Sequence, residues 1–347
     1  MQPSARAVQS NEVYLTRATP RTSGEIGGAS DKRFSLGLSG HAMPADYCNI
    51  LDVCRFLERH FATIPAEYGM AGEFATTDGG EPVLAPRITP THLFRGQTKE
   101  YPTLRPTIYR DHSPLATWQE MQTLQYEGES LRMPNPHYSA ALERDYYFSC
   151  VKGWELIWDV ESLYPNFPHE VDGHALCQHY GLRTHCLDFS LDVWVSGFFA
   201  SHAFRDGVFE PVTDGIGVLY VLDTSAVPPN NLYEIGHQPL PRPFAQKGWL
   251  LLVPPEINLL AHPAVWKIYF RHSVDASSEL GERFRQGTSL VPHDDVSHYI
   301  ESRLAERWVT AAAVRQYVQK VPPHYQQTLD SSIRELFAGH IPILGEA

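Results

Sequence analysis

Apolar residues recur along this chain in two periods, and the change from one to the other outlines its elements. Ile50, Leu51, Cys54 and Leu57 stand three and four apart, which predicts an amphipathic helix over 44–62. From there to Pro90 the chain holds glycines, an Asp-Gly-Gly and several prolines, and reads as loop. Arg87-Ile88 and His92-Leu93-Phe94 read as strand ends. Residues 115–153 are helical in composition but interrupted by Met133-Pro134-Asn135-Pro136, so two helices flank a proline break. Further helices are predicted at 171–180, after the acidic Glu170-Val171-Asp172, and at 192–204. Apolar β-type runs follow at 217–222, 249–253 and 265–270. Helices at 276–286, 294–318 and 324–338 close the chain. Helices and strands fall in blocks, without the regular alternation of a doubly wound sheet. That predicts an α+β fold, a single mixed domain with a central, mainly antiparallel sheet flanked by helices.

Composition narrows the setting. The chain has 347 residues, enough for a sizeable core, and is 43% hydrophobic. No apolar run approaches the roughly 20 residues that span a bilayer, and no secretory leader is visible, so no membrane partner and a cytoplasmic location are expected. The formal charge of −12 disfavours broad binding to polyanions while leaving room for a local basic pocket. Residues 1–40 are polar and locally basic, and read as a flexible N-terminal arm; 41–89 read as an N-terminal helix and linker. Cys48, Cys54, Cys150, Cys177 and Cys186 form no CxxC pair, which argues against a disulfide framework or a zinc site. The histidines are dispersed without a metal-ligand spacing, so no metal is expected.

The chemistry is concentrated in 178–200. Gln178, His179, Arg183, Thr184, His185 and Asp188 crowd around Gly181, immediately before a segment apolar enough to be buried. Each such polar group needs a partner once water is removed, so the stretch reads as the wall of a site. Upstream, Leu93-Phe94-Arg95-Gly96-Gln97 has the same apolar-then-polar character.

These motifs resemble the FRG-domain family, named for its Phe-Arg-Gly, here Phe94-Arg95-Gly96-Gln97. The family's second signature is matched by Gln178, His179, Tyr180, Gly181, Leu182, Thr184, Leu187 and Asp188, then by Phe198, Phe199 and Ala200. A third element appears as Arg242-Pro243-Phe244-Ala245-Gln246-Lys247-Gly248, and Ser289-Leu290-Val291-Pro292 resembles the family's ending. The resemblance therefore spans about 90–305 and leaves 306–347 as a C-terminal helical extension. Arg183 stands where the family usually has Pro, and His185 where it has Arg.

The layout of an Arg-Gly on a first strand, aromatic and hydroxyl residues in the middle and a late Gln also resembles, more loosely, that of ADP-ribosyltransferases. The resemblance implies a pocket for NAD or a related nucleotide and glycosyl transfer to a protein or nucleic-acid acceptor, as in an effector or toxin of bacterial defence. The alternative is a nucleotide-sensing or protein-interaction module without chemistry, which the replacement at His185 favours.

Catalytic candidates are Arg95, His179, Asp188 and Gln246. Cofactor-binding candidates are Arg95, Gly96, Gln97, His179, Tyr180, Arg183 and Thr184. Arg95 suits a phosphate or ribose oxygen because its charge is permanent and its donors are forked, and Gly96 would allow close approach of the backbone. Each has a plainer reading: Arg95 in a surface salt bridge, His179 satisfied by a backbone carbonyl, Asp188 as a helix cap or a partner of Arg95, Gln246 as a turn residue. Cys177 and Cys186 read as buried apolar thiols.

Overall fold

The computed structural model describes residues 16–17, 49–61, 72–76, 82–86, 90–110, 139–165, 173–228, 231–236, 240–254, 257–293, 295–320 and 323–345. Nearly all of the expected arm at 1–40, the strand end at Arg87-Ile88 and the proline break at 133–136 lie outside them.

The helices are α1 (Ile50–His60), α2 (Ala140–Leu163), α3 (Gly173–His179), α4 (Val193–Ser201), α5 (Pro241–Ala245), α6 (Val274–Arg283), α7 (Asp295–Ala305), α8 (Ala311–Gln319) and α9 (Pro323–Phe337). The central strands are β1 (His92–Gln97), β2 (Cys186–Ser190), β3 (Ile216–Asp223), β4 (Leu232–Glu234), β5 (Gly248–Leu252) and β6 (Val265–Arg271). They hydrogen-bond in the order β6-β3-β1-β2-β5-β4, and Thr16–Arg17 pair outside β6. Every pairing in this sheet is antiparallel, so the α+β expectation holds.

Strand alternation decides what each face meets. Phe94, Leu219, Val221, Ile268 and Phe270 face a layer built from α1, α4 and α6, with Ile50, Leu57, Val195, Phe198 and Leu280 in the same core. Leu93, Val218, Tyr220, Leu222, Phe189 and Trp249 face the other way, against Leu104 and Leu259 from loops. Helix α4 is apolar all round because it is buried between the sheet and its companion helices. A further apolar cluster joins α2 to α8 and α9.

Several expectations are corrected. The expected loop from 62 to 90 contains an antiparallel hairpin, Gly72–Thr76 with Pro82–Pro86. The expected helix at 44–62 begins at Ile50, where the Asn49 side chain accepts from the amides of Leu51 and Asp52. The helix expected over 192–204 stops at Ser201. From His202 the chain enters a hairpin, His202–Arg205 with Val208–Pro211, turned by Asp206 and Gly207 at φ 49° and 85°. The single helix expected over 294–318 is two helices, because Val309–Thr310 pair in parallel with Ile343–Leu344 and Thr310 caps α8. Strand β2 lies within the polar stretch and lacks a clean alternation that would mark it.

Candidate functional site

Three pieces of backbone geometry assemble the site. The first is a helix crossing: α3 passes α2 at Gly173 and Gly153, where a Cβ on Gly173 would lie 2.3 Å from the Gly153 carbonyl oxygen. Only two glycines allow this approach. The second is the end of α3. Leu182 N–H donates to the Cys177 carbonyl (2.9 Å) and Gly181 N–H to that of Gln178 (3.4 Å), with Gly181 at φ 99°. That is a Schellman cap, and it accounts for the glycine two residues after His179. The reversed chain then runs into β2, which returns Asp188 alongside Gln178. The third is a short seam. β1 and β2 share one register pair, Phe94 with Ser190, and beyond it the Arg95 guanidinium donates to the Asp188 main-chain carbonyl at 2.7 Å.

Asp188 is the hub. Its Oδ2 accepts from Gln178 Nε2 at 2.8 Å and lies 3.9 Å from Arg95 Nη1; its Oδ1 lies 3.6 Å from His179 Nε2. Gln178 is itself held at its other end by the Thr184 hydroxyl, which donates to its Oε1 and accepts from the Cys186 amide. The His179 side chain is only 3% exposed and that of Arg95 16%, against 33% for Asp188, so of the three side chains that of Asp188 is nearest solvent. Neither His179 Nε2 nor Asp188 Oδ1 has a hydrogen-bond partner among the described residues, although both are buried atoms.

The third sequence element closes around the imidazole. Arg242 donates to the His179 carbonyl (3.4 Å), covers the Tyr180 ring at 4.4 Å and pairs with Glu301. It thereby fixes the C-terminal end of α3. Gln246 lies close enough to His179 to favour its protonated form, while its own Nε2 donates to the Leu290 carbonyl at 3.0 Å. A Cβ on Gly248 would stand 3.4 Å from His179 Nε2. Burial pushes the His179 pKa below its ordinary value, and Arg242 adds to this against the opposing pull of Asp188 and Gln246. The imidazole is therefore neutral near pH 7. Burial also lowers the Arg95 pKa, opposed by Asp188, yet a guanidinium stays charged.

The structure thus brings together Arg95, His179, Thr184, Asp188 and Gln246, with Gln178 linking Thr184 to Asp188. Other candidates have different surroundings. Gly96 is required by packing: a Cβ there would sit 1.9 Å from the Ser196 carbonyl oxygen of α4. Tyr180 is buried beneath Arg242 with its hydroxyl 3.4 Å from that of Ser297. Arg183 is exposed on the turn, and His185 is buried with its ring 5.3 Å from that of Tyr146. Gln97 carries its side chain on the sheet face of Arg95, and Cys177 and Cys186 are buried. The alternation of Val218, Tyr220 and Leu222 already places Tyr220 inward; its position opposite Arg95 is visible only once the register is known.

Among the described residues no group of three or more His, Cys, Asp or Glu could hold a metal ion, and no helix is long and apolar enough to cross a membrane. Residues 90–207 match the family model of the FRG domain. No curated protein and no solved structure matches the chain.

Proposed function

This chain carries an FRG domain at residues 90–207, and from that premise we propose that the site at Asp188 binds a nucleotide of the NAD class and transfers its ADP-ribosyl group to a protein or nucleic-acid acceptor. One observation carries the reading. Three stretches far apart in sequence supply Arg95, the His179–Asp188 pair and Gln246 to one place, and the two atoms that face each other across 3.6 Å are not hydrogen-bonded. Such a pair has hydrogen-bonding capacity left for a guest. Asp188 Oδ1 accepts from a ribose hydroxyl and its charge favours the positive character that develops on the sugar as the nicotinamide bond breaks. The neutral His179 holds the nicotinamide end by hydrogen bonding or stacking, and Arg95 supplies a permanently charged donor for a phosphate or ribose oxygen. Gln246 cannot act as a base, which suits transfer to an acceptor with its own nucleophile better than hydrolysis by an activated water. An effector or toxin acting on a cellular target would use this chemistry.

A second reading, a nucleotide-sensing module without turnover, is favoured by His185. Where the family usually has a permanent charge, this chain has a buried imidazole packed on Tyr146. Incubation with labelled NAD separates the two. Nicotinamide release or a labelled acceptor, lost in Arg95→Ala and Gln246→Ala, supports transfer. Binding without turnover supports the sensor, and an absence of binding removes both.

A further inference from the structure

On the sheet face that bears Leu93 and Leu222, three side chains end in buried polar atoms without hydrogen-bond partners among the described residues. They are the Arg95 Nε, the Tyr220 hydroxyl and the Gln97 Oε1. Register makes them neighbours. Arg95 and Tyr220 are directly opposite on β1 and β3, so their side chains stand side by side, and Gln97 lies two residues further along β1 on the same face. Tyr220 is fully buried, its ring packed in the core with Leu93, Val218 and Leu222. Burial first, then Glu100 and Tyr269, pushes its pKa upward against the pull of Arg95, so the phenol stays a neutral donor. One partnerless polar atom in a core is costly, and three on adjacent positions of one face are unlike ordinary packing.

We propose that Arg95, Gln97 and Tyr220 form a subsite for a ligand hydroxyl, the sugar diol of a ribose. The inference rests on the nucleotide reading and assigns Tyr220 to it. The guanidinium N–H and the phenol donate, while the carboxamide oxygen accepts. A hydroxyl answers both kinds of group, since it accepts and donates at once. A phosphate oxygen only accepts and would oppose Gln97 Oε1. Arg95 then serves two sides of the sheet seam, with Nη1 committed to the Asp188 carbonyl and Nε turned to the sugar.

The test is calorimetric binding of ADP-ribose, its deoxy-ribose counterparts, inorganic pyrophosphate and free ribose to the full chain, with Tyr220→Phe and Gln97→Ala. Tyr220→Phe should bind ADP-ribose roughly tenfold more weakly and pyrophosphate as the wild type does. Its unliganded melting temperature should not fall, because the hydroxyl removed has no hydrogen-bond partner among the described residues. Gln97→Ala and a deoxy ligand should show losses of the same order. Equal affinity of ADP-ribose for wild type and Tyr220→Phe would mean that only water occupies the place, with the nucleotide reading intact. A lower melting temperature in unliganded Tyr220→Phe would reveal a structural role for the hydroxyl and overturn the subsite. Binding of free ribose, abolished in Tyr220→Phe, without ADP-ribose binding would keep the subsite and remove the nucleotide. Binding of neither overturns both.

Discussion

The Arg95 guanidinium binds the main-chain carbonyl of Asp188 at 2.7 Å, while the Asp188 carboxylate stands 3.9 Å from the same nitrogen. Structure and chemistry can therefore be separated by substitution. Asp188→Asn leaves the carbonyl in place and retains an acceptor for Gln178, so stability should change by less than about 1 kcal/mol while nucleotide affinity falls at least tenfold. Arg95→Ala removes the donor to a part-buried carbonyl and should cost roughly 1–3 kcal/mol together with the affinity. Denaturant unfolding alongside a binding assay distinguishes them; equal destabilisation by both would show that the carboxylate carries the seam.

Acid should weaken the fold. Burial lowers the pKa of His92, His179, His202 and His262 below the ordinary value. Between the lowered and ordinary values the unfolded chain binds more protons than the folded one. The stability these histidines permit is thus complete above their unfolded pKa of about 6.5 and is lost as pH falls through the folded values. Urea midpoints should decline from pH 7.5 to 5, and more gently in His179→Gln. A flat profile would contradict neutral, buried imidazoles.

Two glycines should resist even alanine. A Cβ at Gly96 meets the Ser196 carbonyl oxygen at 1.9 Å, and one at Gly173 meets the Gly153 carbonyl oxygen at 2.3 Å. Both obstacles are backbone, so a strand or a helix must move, at about 1–3 kcal/mol or more each. Gly173→Ala should also displace His179 and reduce nucleotide binding. A thermal melt near that of the wild type would show that α3 yields easily.

A buried ion network offers a fourth check. Lys152 is fully buried; its Nζ donates to Glu155 at 2.8 Å and to the Trp308 carbonyl at 3.1 Å and lies 4.5 Å from the Trp308 ring. Lys152→Ala strands a buried carboxylate beside a cavity and should cost about 3–5 kcal/mol. The double change Lys152→Met, Glu155→Leu should recover part of that loss, except for the Glu155 contact to the Thr310 amide. A single substitution that costs nothing would show that water reaches the pair.

What the sequence disclosed depended on whether the signal was local. Ile50, Leu51, Cys54 and Leu57 announce α1, and the apolar runs announce β3, β5 and β6, because burial imprints a period on neighbouring residues. That His179 and Asp188 belong to a site wall was legible from composition, because polar density beside an apolar run needs partners; that Arg95 joins them was implied by the family resemblance alone. Asp206-Gly207 is a hairpin turn written in two residues, yet the strongly apolar helix before it conceals where that helix ends. Strand β2 was hidden because its neighbours on both faces are buried and Asp188, which interrupts that run, belongs to the site. The linking role of Gln178 was not visible either. It follows from a Schellman turn that folds residue 188 back upon residue 178, and from a seam between β1 and β2 that lets Arg95 reach through.

That seam bears on how much of the chain can stand alone. The span matched by the family model contributes β1 and β2 to the central sheet, and these meet at one rung, Phe94 with Ser190. Six rungs tie β1 to β3 and five tie β2 to β5, both beyond residue 207. A fragment cut at 207 would leave both strands with open edges and Leu93, Leu187 and Phe189 uncovered, so it should aggregate. The same ordering leaves β1 waiting during synthesis for a partner more than a hundred residues downstream. Until then the Leu93-Phe94 pair, buried in the finished sheet, is apolar surface without its cover.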